Sequence, residues 1–161
     1  MGGMAEPLTD AQLRCWRAFI ESTWLLQTRL EDDLRAGSAL SMGDYHVLVV
    51  LAEAPGHRLR MGELAGRLVF SPSRLTYQIS TMEKRGLVHR ESCPHDRRST
   101  RAVLTPAGHT ALREAAPHHL TSVRGHFVDD LDEAEIACLI RVFERLGPRL
   151  RTERGPIPAT L

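Results

Sequence analysis

The segment at residues 71–86, SPSRLTYQISTMEKRG, constrains the fold of this 161-residue chain more than any other segment. It begins with Ser71, a preferred N-cap residue, and then a proline, which suits the first helical position because no N–H is needed there. It ends with a glycine, the residue type that most often terminates helices in the left-handed conformation. Leu75, Ile79 and Met82 recur between these signals at helical spacing. The segment therefore predicts a capped amphipathic helix with one buried face.

The neighbouring segments extend this helix into a larger motif. A short helix at 61–68, MGELAGRL, precedes it across a tight turn, which is the spacing of a helix-turn-helix. Two short alternating runs follow at 87–91 and 101–104, with a polar loop between them. Such a pair of runs predicts a β-hairpin. A hairpin directly after a helix-turn-helix is a wing, so we expect a winged helix-turn-helix.

Further helices are predicted on both sides of this unit. Each has a Ser, Thr or Asp cap before a run of helical periodicity. The predicted segments are a helix from about 10 to 35, a second from 41 to a stop at 54–56, a fifth from 105, and a sixth from 132 to a break at 147–148. The apolar stripe of the first helix is longer than one small neighbour would cover. The expected fold is mainly α with a small β-wing, and residues 151–161 are expected to form a frayed tail.

The composition is that of a soluble globular protein. Hydrophobic residues make up 42% of the chain and charged residues 25%, which are ordinary values. No apolar run reaches the roughly 18 residues that a membrane helix needs, and the first residues lack the features of a signal peptide. We therefore expect a single domain over residues 1–161 that acts in the cytoplasm and does not contact a membrane.

The chain lacks the common catalytic motifs. It contains no G-x-S-x-G, P-loop, HExxH or glycine-rich nucleotide turn, and no pair of Cys and His residues at zinc-ligand spacing. Its three cysteines are widely spaced and make no disulfide framework. We expect a protein that is not an enzyme and that needs no cofactor or metal ion.

The predicted wing loop, HDRRSTR at 95–101, carries three arginines within five positions, although the formal net charge of the chain is only +1. Charges of one sign repel each other at short range, and DNA phosphates or the potential of a narrow minor groove would compensate them. A charged hairpin tip can also be an ordinary solvated turn. The polar helix face beside the loop favours the DNA interpretation.

The polar residues of the central helix lie in its N-terminal half, the half that a helix-turn-helix inserts into the major groove. Arg74 can bond bidentately to guanine, and small hydroxyl side chains can contact bases or phosphates. Tyr77 has packing against the wing as an alternative role. The candidate DNA contacts on this helix are Ser71, Ser73, Arg74, Thr76 and Tyr77.

The stretch from 64 to 108 resembles the MarR family of winged-helix regulators. The resemblance is carried by MEKRGLVHR at the end of the central helix, by Asp-Arg-Arg at 96–98, and by Leu104-Thr105 followed by Ala107-Gly108. With the flanking helices it covers roughly residues 8 to 150. The wing motif and the Leu-Thr-x-x-Gly step are more specific together than the helix-turn-helix alone.

The resemblance implies a homodimeric regulator of transcription that binds double-stranded DNA. The helices at 8–36 and 106–150 would form the dimer interface around a winged helix-turn-helix at 41–105, and the dimer would read a pseudo-palindromic operator. In the wing, Arg98 would enter the minor groove, Asp96 would orient it and Arg97 would contact phosphate.

The resemblance also implies regulation by a ligand. Many family members are repressors that a small aromatic or phenolic compound releases from DNA, and the compound binds between the dimerisation helices and the winged helix. Residues placed to approach such a crevice, with core packing as the alternative, are Trp16, Trp24, Tyr45 and His46.

Two other functions fit the same sequence. A winged helix can use its wing to bind another protein. In that case the loss of Arg74 and Arg98 would not affect the affinity for nucleic acid. A redox-sensing regulator is the second alternative, because Cys15 lies about where the peroxide-sensing branch of the family places its reactive cysteine. That branch supplies tyrosines near the thiol, whereas this chain has Phe19 and Arg29 nearby.

Overall fold

The computed structural model describes residues 6–93 and 96–151, and for residues 93, 96–98 and 151 it describes the backbone alone. Short turns of 3-10 helix and π-helix lie at Pro55–His57 and Arg124–Val128. The helices are α1 Asp10–Gly37, α2 Met42–Glu53, α3 Met61–Leu68, α4 Pro72–Lys84, α5 Pro106–Val123 and α6 Glu133–Arg151, and the strands are β1 Arg58–Arg60, β2 Val88–Cys93 and β3 Asp96–Leu104. The predicted fold class, mainly α with a small β-wing, is confirmed.

The helices begin where the sequence signals place them. The Thr9 hydroxyl accepts the Gln12 N–H at 3.3 Å, and the Gln12 side chain accepts the Thr9 N–H at 2.9 Å, which completes a capping box for α1. The Ser71 hydroxyl accepts the Arg74 N–H at 3.3 Å and caps α4. These bonds satisfy amide groups that have no partner inside a helix.

The core forms around α4. Leu75, Ile79 and Met82 are at most 1% exposed, so the predicted buried face of this helix is confirmed. They pack in one cluster with side chains of α2, α3 and the sheet, including Val47, Leu48, Leu51, Leu64, Val88 and Ala102. This packing fixes which face of α4 is left for solvent.

The three strands form an antiparallel sheet in the order β1-β3-β2. The hairpin is longer than predicted, because Ser92 pairs with Thr100 and β3 already begins at Asp96. Polar residues in a solvated ribbon show no apolar alternation, so the pattern gave no signal for this extension. Most of the predicted wing loop therefore lies in a strand, and the connection at 94–95 lies outside the described residues.

A close contact joins the wing to α5. The Thr105 hydroxyl lies 2.6 Å from the Gly86 carbonyl oxygen and 2.9 Å from that of Leu87, and it accepts the Gly108 N–H. A Cβ atom at Gly108 would lie 2.1 Å from the Leu87 carbonyl oxygen. The Leu-Thr-x-x-Gly step is thus explained by a cap and a backbone approach that only glycine permits.

The predicted break of the sixth helix at Gly147 and Pro148 is wrong, because α6 continues to Arg151. A proline inside a helix removes the hydrogen bond to the carbonyl four residues earlier. Here that carbonyl belongs to Glu144, an exposed residue. Water can replace the lost bond at this position, so the proline does not end the helix.

The two flanking helices leave much apolar surface uncovered. In α1 only Leu34 is buried, and no described side chain of α6 is buried. Phe19 and Phe143 touch across these helices with their ring centroids 6.1 Å apart, yet both remain more than 40% exposed. None of the helices in the described ranges is long and apolar enough to cross a bilayer.

Candidate nucleic-acid interface

The outward face of α4 carries four of the candidate DNA contacts. Ser73, Arg74, Thr76 and Tyr77 are all exposed, and the Tyr77 side chain is 74% exposed. The alternative role of Tyr77 as a residue packed against the wing is therefore wrong. The buried residues on the opposite side of α4 orient this face away from the core.

The hydroxyl groups on this face are partly engaged within the helix. Ser71 caps α4 and lies 3.2 Å from the Ser73 hydroxyl, while the Thr76 hydroxyl donates to the Pro72 carbonyl at 2.8 Å. The Arg74 guanidinium instead lies over the Phe70 ring, 4.0 Å from its centroid.

A buried carboxylate fixes α4 to the rest of the domain. Asp44, in the first turn of α2, is 3% exposed. It accepts hydrogen bonds from Gln78 at 2.5 Å and from the Arg85 guanidinium at 2.7 Å, and Arg85 also donates to the Ala39 carbonyl at 2.6 Å. Charge-assisted bonds of this length are strong and directional. No local sequence pattern identifies this group, because its members lie far apart in the chain.

A second arginine joins α4 to the wing. Arg90, in β2, donates to the Thr76 carbonyl at 3.1 Å and to the Ser80 hydroxyl. Its backbone N–H donates to Glu83 at 2.9 Å, and its Nε lies 3.8 Å from the same carboxylate. Strand β2 of the wing is thus connected to α4, the recognition helix of the helix-turn-helix, at three positions of that helix.

The distal wing carries the remaining candidate contacts. Asp96, Arg97 and Arg98 begin β3, and Asp96 pairs with Cys93 beside an irregularity in the ladder. Their side chains lie outside the described part of the structure. The backbone places all three at the end of the hairpin, beyond the Ser92–Thr100 pair.

A cavity of about 760 Å³ lies between the flanking helices and the winged helix. Its wall combines apolar side chains with two histidines, one arginine and two carboxylates, Glu31 and Asp32. The lining includes Leu26 and Leu30 of α1, Met42 and His46 of α2, Phe70 and Arg74 beside the start of α4, and His119, Val123 and Phe127 at the end of α5. Cavities of this size and character are typical of small-molecule sites.

Burial disfavours the protonated form of two histidines in this wall. His119 is 2% exposed, and neither of its ring nitrogens has a hydrogen-bond partner among the described residues. Burial lowers the pKa of His119, and burial together with the neighbouring His119 lowers the pKa of His46. An orphan polar group in a cavity wall is costly unless something else satisfies it.

The four predicted ligand residues are not all brought together. His46 lines the cavity, and Tyr45 is buried with its ring centroid 4.5 Å from that of His119. Trp16 and Trp24 are 53% and 65% exposed on α1 and do not line this cavity. Trp16 lies about 15 Å along α1 from Leu26, and Trp24, only two residues from Leu26, lies on another face of the helix. Sequence periodicity could not identify His119 as a cavity residue, because the pattern of α5 does not show that a cavity lies beside the helix.

Cys15 lies on α1 as a free, exposed thiol. Its surroundings in the described structure include no disulfide partner and no hydrogen bond that would mark it as a special thiol. Reactive cysteines are identified by partners that stabilise the thiolate. The geometry adds no support to the redox alternative.

Comparison with known proteins agrees with this architecture. The sequence profile of the MarR family matches residues 40–100. The chain is 42% identical to AbsC, a MarR family transcriptional regulator from Streptomyces coelicolor, with a TM-score of 0.86 over 92% of this chain and 100% of that one. It is 34% identical to Sco3205, a MarR family regulator from the same organism crystallised in complex with DNA, with a TM-score of 0.89 over 98% of each chain.

A characterised repressor is related as well. The chain is 30% identical over 115 residues to the HTH-type transcriptional repressor YetL of Bacillus subtilis. The aligned region covers 70% of this chain and 69% of YetL. These relatives are regulators of transcription and not enzymes. With its winged helix and its exposed recognition face, this chain belongs to the MarR family of DNA-binding transcriptional regulators.

Proposed function

We propose that this protein is a homodimeric repressor that reads a pseudo-palindromic operator, acts in the cytoplasm, and leaves DNA when a small aromatic ligand enters the cavity. The observation that carries the proposal is the position of Arg74. This residue lies on the exposed face of the recognition helix and also in the wall of the cavity. One side chain thus belongs to both surfaces that the function requires.

We assign the recognition of the DNA base sequence to the first turns of α4. Arg74 is the side chain on this face that can pair bidentately with guanine. Ser73, Thr76 and Tyr77 surround it, and Ser71 caps the helix that presents them. In the wing, we assign Arg98 to the minor groove, Asp96 to its orientation and Arg97 to phosphate contact. A carboxylate beside a guanidinium can aim it through paired hydrogen bonds.

Dimerisation is assigned to the flanking helices, 8–36 and 106–150. Their uncovered apolar side chains include Trp16, Phe19, Trp24, Leu120, Ile140 and Phe143. An apolar surface of this extent is unusual on a monomer. A second copy related by a two-fold axis would cover it and would set two recognition helices about one DNA turn apart. Half-sites would then be centred roughly 10 base pairs apart.

Ligand release is assigned to the cavity. Its apolar wall suits an aromatic ring, and His119 offers a buried polar group without a partner. A regulator of the same fold, the organohalide-sensing RdhR, has been crystallised with 2,4-dichlorophenol bound; it is 15% identical to this chain, with a TM-score of 0.80. A ligand that contacts Phe70 would compete with DNA for the Arg74 side chain. An aromatic compound with one hydrogen-bonding substituent therefore fits this wall best.

The proposal is tested by selection from a random library of DNA duplexes with the full-length protein. We expect enrichment of a pseudo-palindrome, binding by a dimer in light scattering, and loss of the bound fraction when 2,4-dichlorophenol is added as a probe. Recovery of asymmetric sequences by a monomer would contradict the dimer assignment. Unchanged DNA binding at a probe concentration that saturates the cavity in a fluorescence titration would contradict ligand release.

A further inference from the structure

Arg90 occupies an unusual position between the two DNA-reading parts of the domain. Its side chain leaves β2 and runs along the flank of α4, where it reaches the Thr76 carbonyl at 3.1 Å and the Ser80 hydroxyl. These two acceptors lie one helical turn apart. The side chain is 31% exposed, and its Nε is buried. One terminal nitrogen of the guanidinium donates to both acceptors, so the side chain anchors the wing to one place on the flank of the recognition helix.

We propose that Arg90 is a positioning residue for DNA binding, which sets the angle between the recognition helix and the wing so that both parts reach DNA together. This inference rests on the proposed function, because it presupposes that α4 and the distal wing each contact DNA. Arg90 itself faces α4 and is assigned no base or phosphate. It acts through the orientation of the hairpin.

The chemistry of the contact explains why an arginine suits this position. A guanidinium is a rigid planar group whose N–H donors point in fixed directions. One terminal nitrogen donates to both the Thr76 carbonyl and the Ser80 hydroxyl, and Nε lies 3.8 Å from the Glu83 carboxylate, so the plane of the group is held against α4. The Arg90 backbone N–H bonded to Glu83 adds a further point on the same helix. A lysine ammonium could reach the same two acceptors, but its freely rotating donors on a flexible stem would not fix the orientation of the wing.

The angle between the wing and α4 is important because a small rotation at Arg90 displaces the far end of the wing by a larger distance. Arg90 pairs with Ala102 across the ladder, and Arg98 lies four residues away along β3. Four residues of strand span about 13 Å, so a rotation of about 10° at Arg90 would move the end of the wing by roughly 2 Å. Binding groups lose their effect when they are displaced by much less than this.

The neighbouring position provides a matched control. Glu91 is the next residue of β2 and lies within 3.5 Å of Arg58, in β1. This ion pair belongs to the same sheet but does not contact α4. Arg58→Gln and Arg90→Gln remove the same charge from the same sheet. Only Arg90→Gln removes the connection to the recognition helix.

The test measures how the contributions of Arg98 and Arg74 to DNA affinity depend on the contact between Arg90 and α4. Affinity for the duplex recovered by selection is measured for Arg98→Ala in three backgrounds: native, Arg90→Gln and Arg58→Gln. We expect Arg98→Ala to weaken binding about tenfold in the native and Arg58→Gln backgrounds, and less than twofold in Arg90→Gln, where the wing is already displaced. Arg74→Ala should cost the same in all three. Arg90→Lys should restore part of the Arg98 effect.

A second measurement makes the outcome decisive. In footprints of the same complexes, Arg90→Gln should lose protection of the minor groove from hydroxyl radicals beside each half-site and keep protection of guanine N7 in the major groove from dimethyl sulfate. A general loss of folded protein would reduce both kinds of protection together. If the minor-groove protection and the Arg98→Ala penalty are both unchanged in Arg90→Gln, the positioning role is wrong. If the native protein selects no sequence, the proposed function itself fails.

Discussion

The Arg74 guanidinium lies 4.0 Å from the centroid of the Phe70 ring, and both residues line the cavity between the flanking helices and the winged helix. This pair connects the two surfaces of the protein. We propose that the stack is a resting position of Arg74, which the guanidinium leaves when it pairs with a guanine.

The Phe70–Arg74 stack leads to the first prediction. A cation–π contact at an exposed site contributes about 0.5–1 kcal/mol, and Phe70→Leu removes it while keeping an apolar side chain. We expect Phe70→Leu to bind the selected duplex about two- to fivefold more tightly, since less energy is needed to free Arg74. Fluorescence anisotropy measures this. Weaker binding would show that the stack orients Arg74 for DNA instead of holding it back.

The second prediction concerns Asp44, which holds Gln78 and Arg85 of the recognition helix. Asp44→Ala removes the buried carboxylate and leaves the Arg85 guanidinium, whose side chain is 35% exposed, without its partner. Breaking a buried pair costs about 3–5 kcal/mol, and the partial exposure of Arg85 favours the lower end. We expect a loss of about 3 kcal/mol in urea unfolding. The control is Glu91→Ala, which breaks an exposed pair and should cost less than about 1 kcal/mol.

The third prediction is a pH dependence of stability. Burial lowers the pKa of His119, and His46 beside it shifts in the same direction, although Glu31 opposes part of that shift. In the unfolded chain these imidazoles take up protons near pH 6.5, whereas the folded protein resists protonation. The unfolded state then binds more protons, so stability should fall as the pH is lowered from about 7.5 to 5.5.

The variant His119→Leu isolates this effect. It should show a smaller loss of unfolding free energy between those two pH values than the native protein, measured by urea titration at each pH. His118→Leu, at an exposed neighbouring position of α5, is the matched control and should keep the native difference. A native protein whose stability does not change over this range would contradict the account of the buried histidines.

The fourth prediction separates the roles in the wing. Arg98→Ala should weaken specific binding by about 1–3 kcal/mol, whereas Arg97→Ala should weaken binding uniformly and reduce the salt slope by about one. Asp96→Ala should also weaken binding, although it removes a negative charge near DNA. Salt titrations of specific and random duplexes measure all three. Tighter binding by Asp96→Ala would refute its role in orienting Arg98.

The parts of the fold that depend on local signals could be predicted. The caps at Thr9, Ser71 and Thr105 each use a side chain within three residues of the amide it satisfies, so neighbouring residues suffice to locate the helix starts. The buried face of α4 follows from periodicity for the same reason. The break at Pro148 was wrong because a sequence pattern does not reveal whether water can replace a lost hydrogen bond.

The parts that depend on distant residues could not be predicted. Strand β1 has three residues and forms through its pairing with Val103, Ala102 and Arg101 of β3. Asp44 meets Gln78 and Arg85 across 34 and 41 positions of the chain. The imidazole of His119, which has no hydrogen-bond partner among the described residues, can be identified only once the helices around the cavity are placed in three dimensions. Sequence reasoning therefore identified the exposed face of α4 better than the side-chain contacts that hold this helix in place.

The central claim is that the recognition helix reads its operator through Arg74, and its most direct test compares native protein with Arg74→Ala on every single-base variant of the selected duplex. We predict that Arg74→Ala keeps the native melting temperature, loses about 1–3 kcal/mol of specific binding, and no longer discriminates at one base pair of each half-site. Ile79→Ala, on the buried face, should instead lose about 2–5 kcal/mol of stability. Full discrimination at every base pair by Arg74→Ala would contradict the claim.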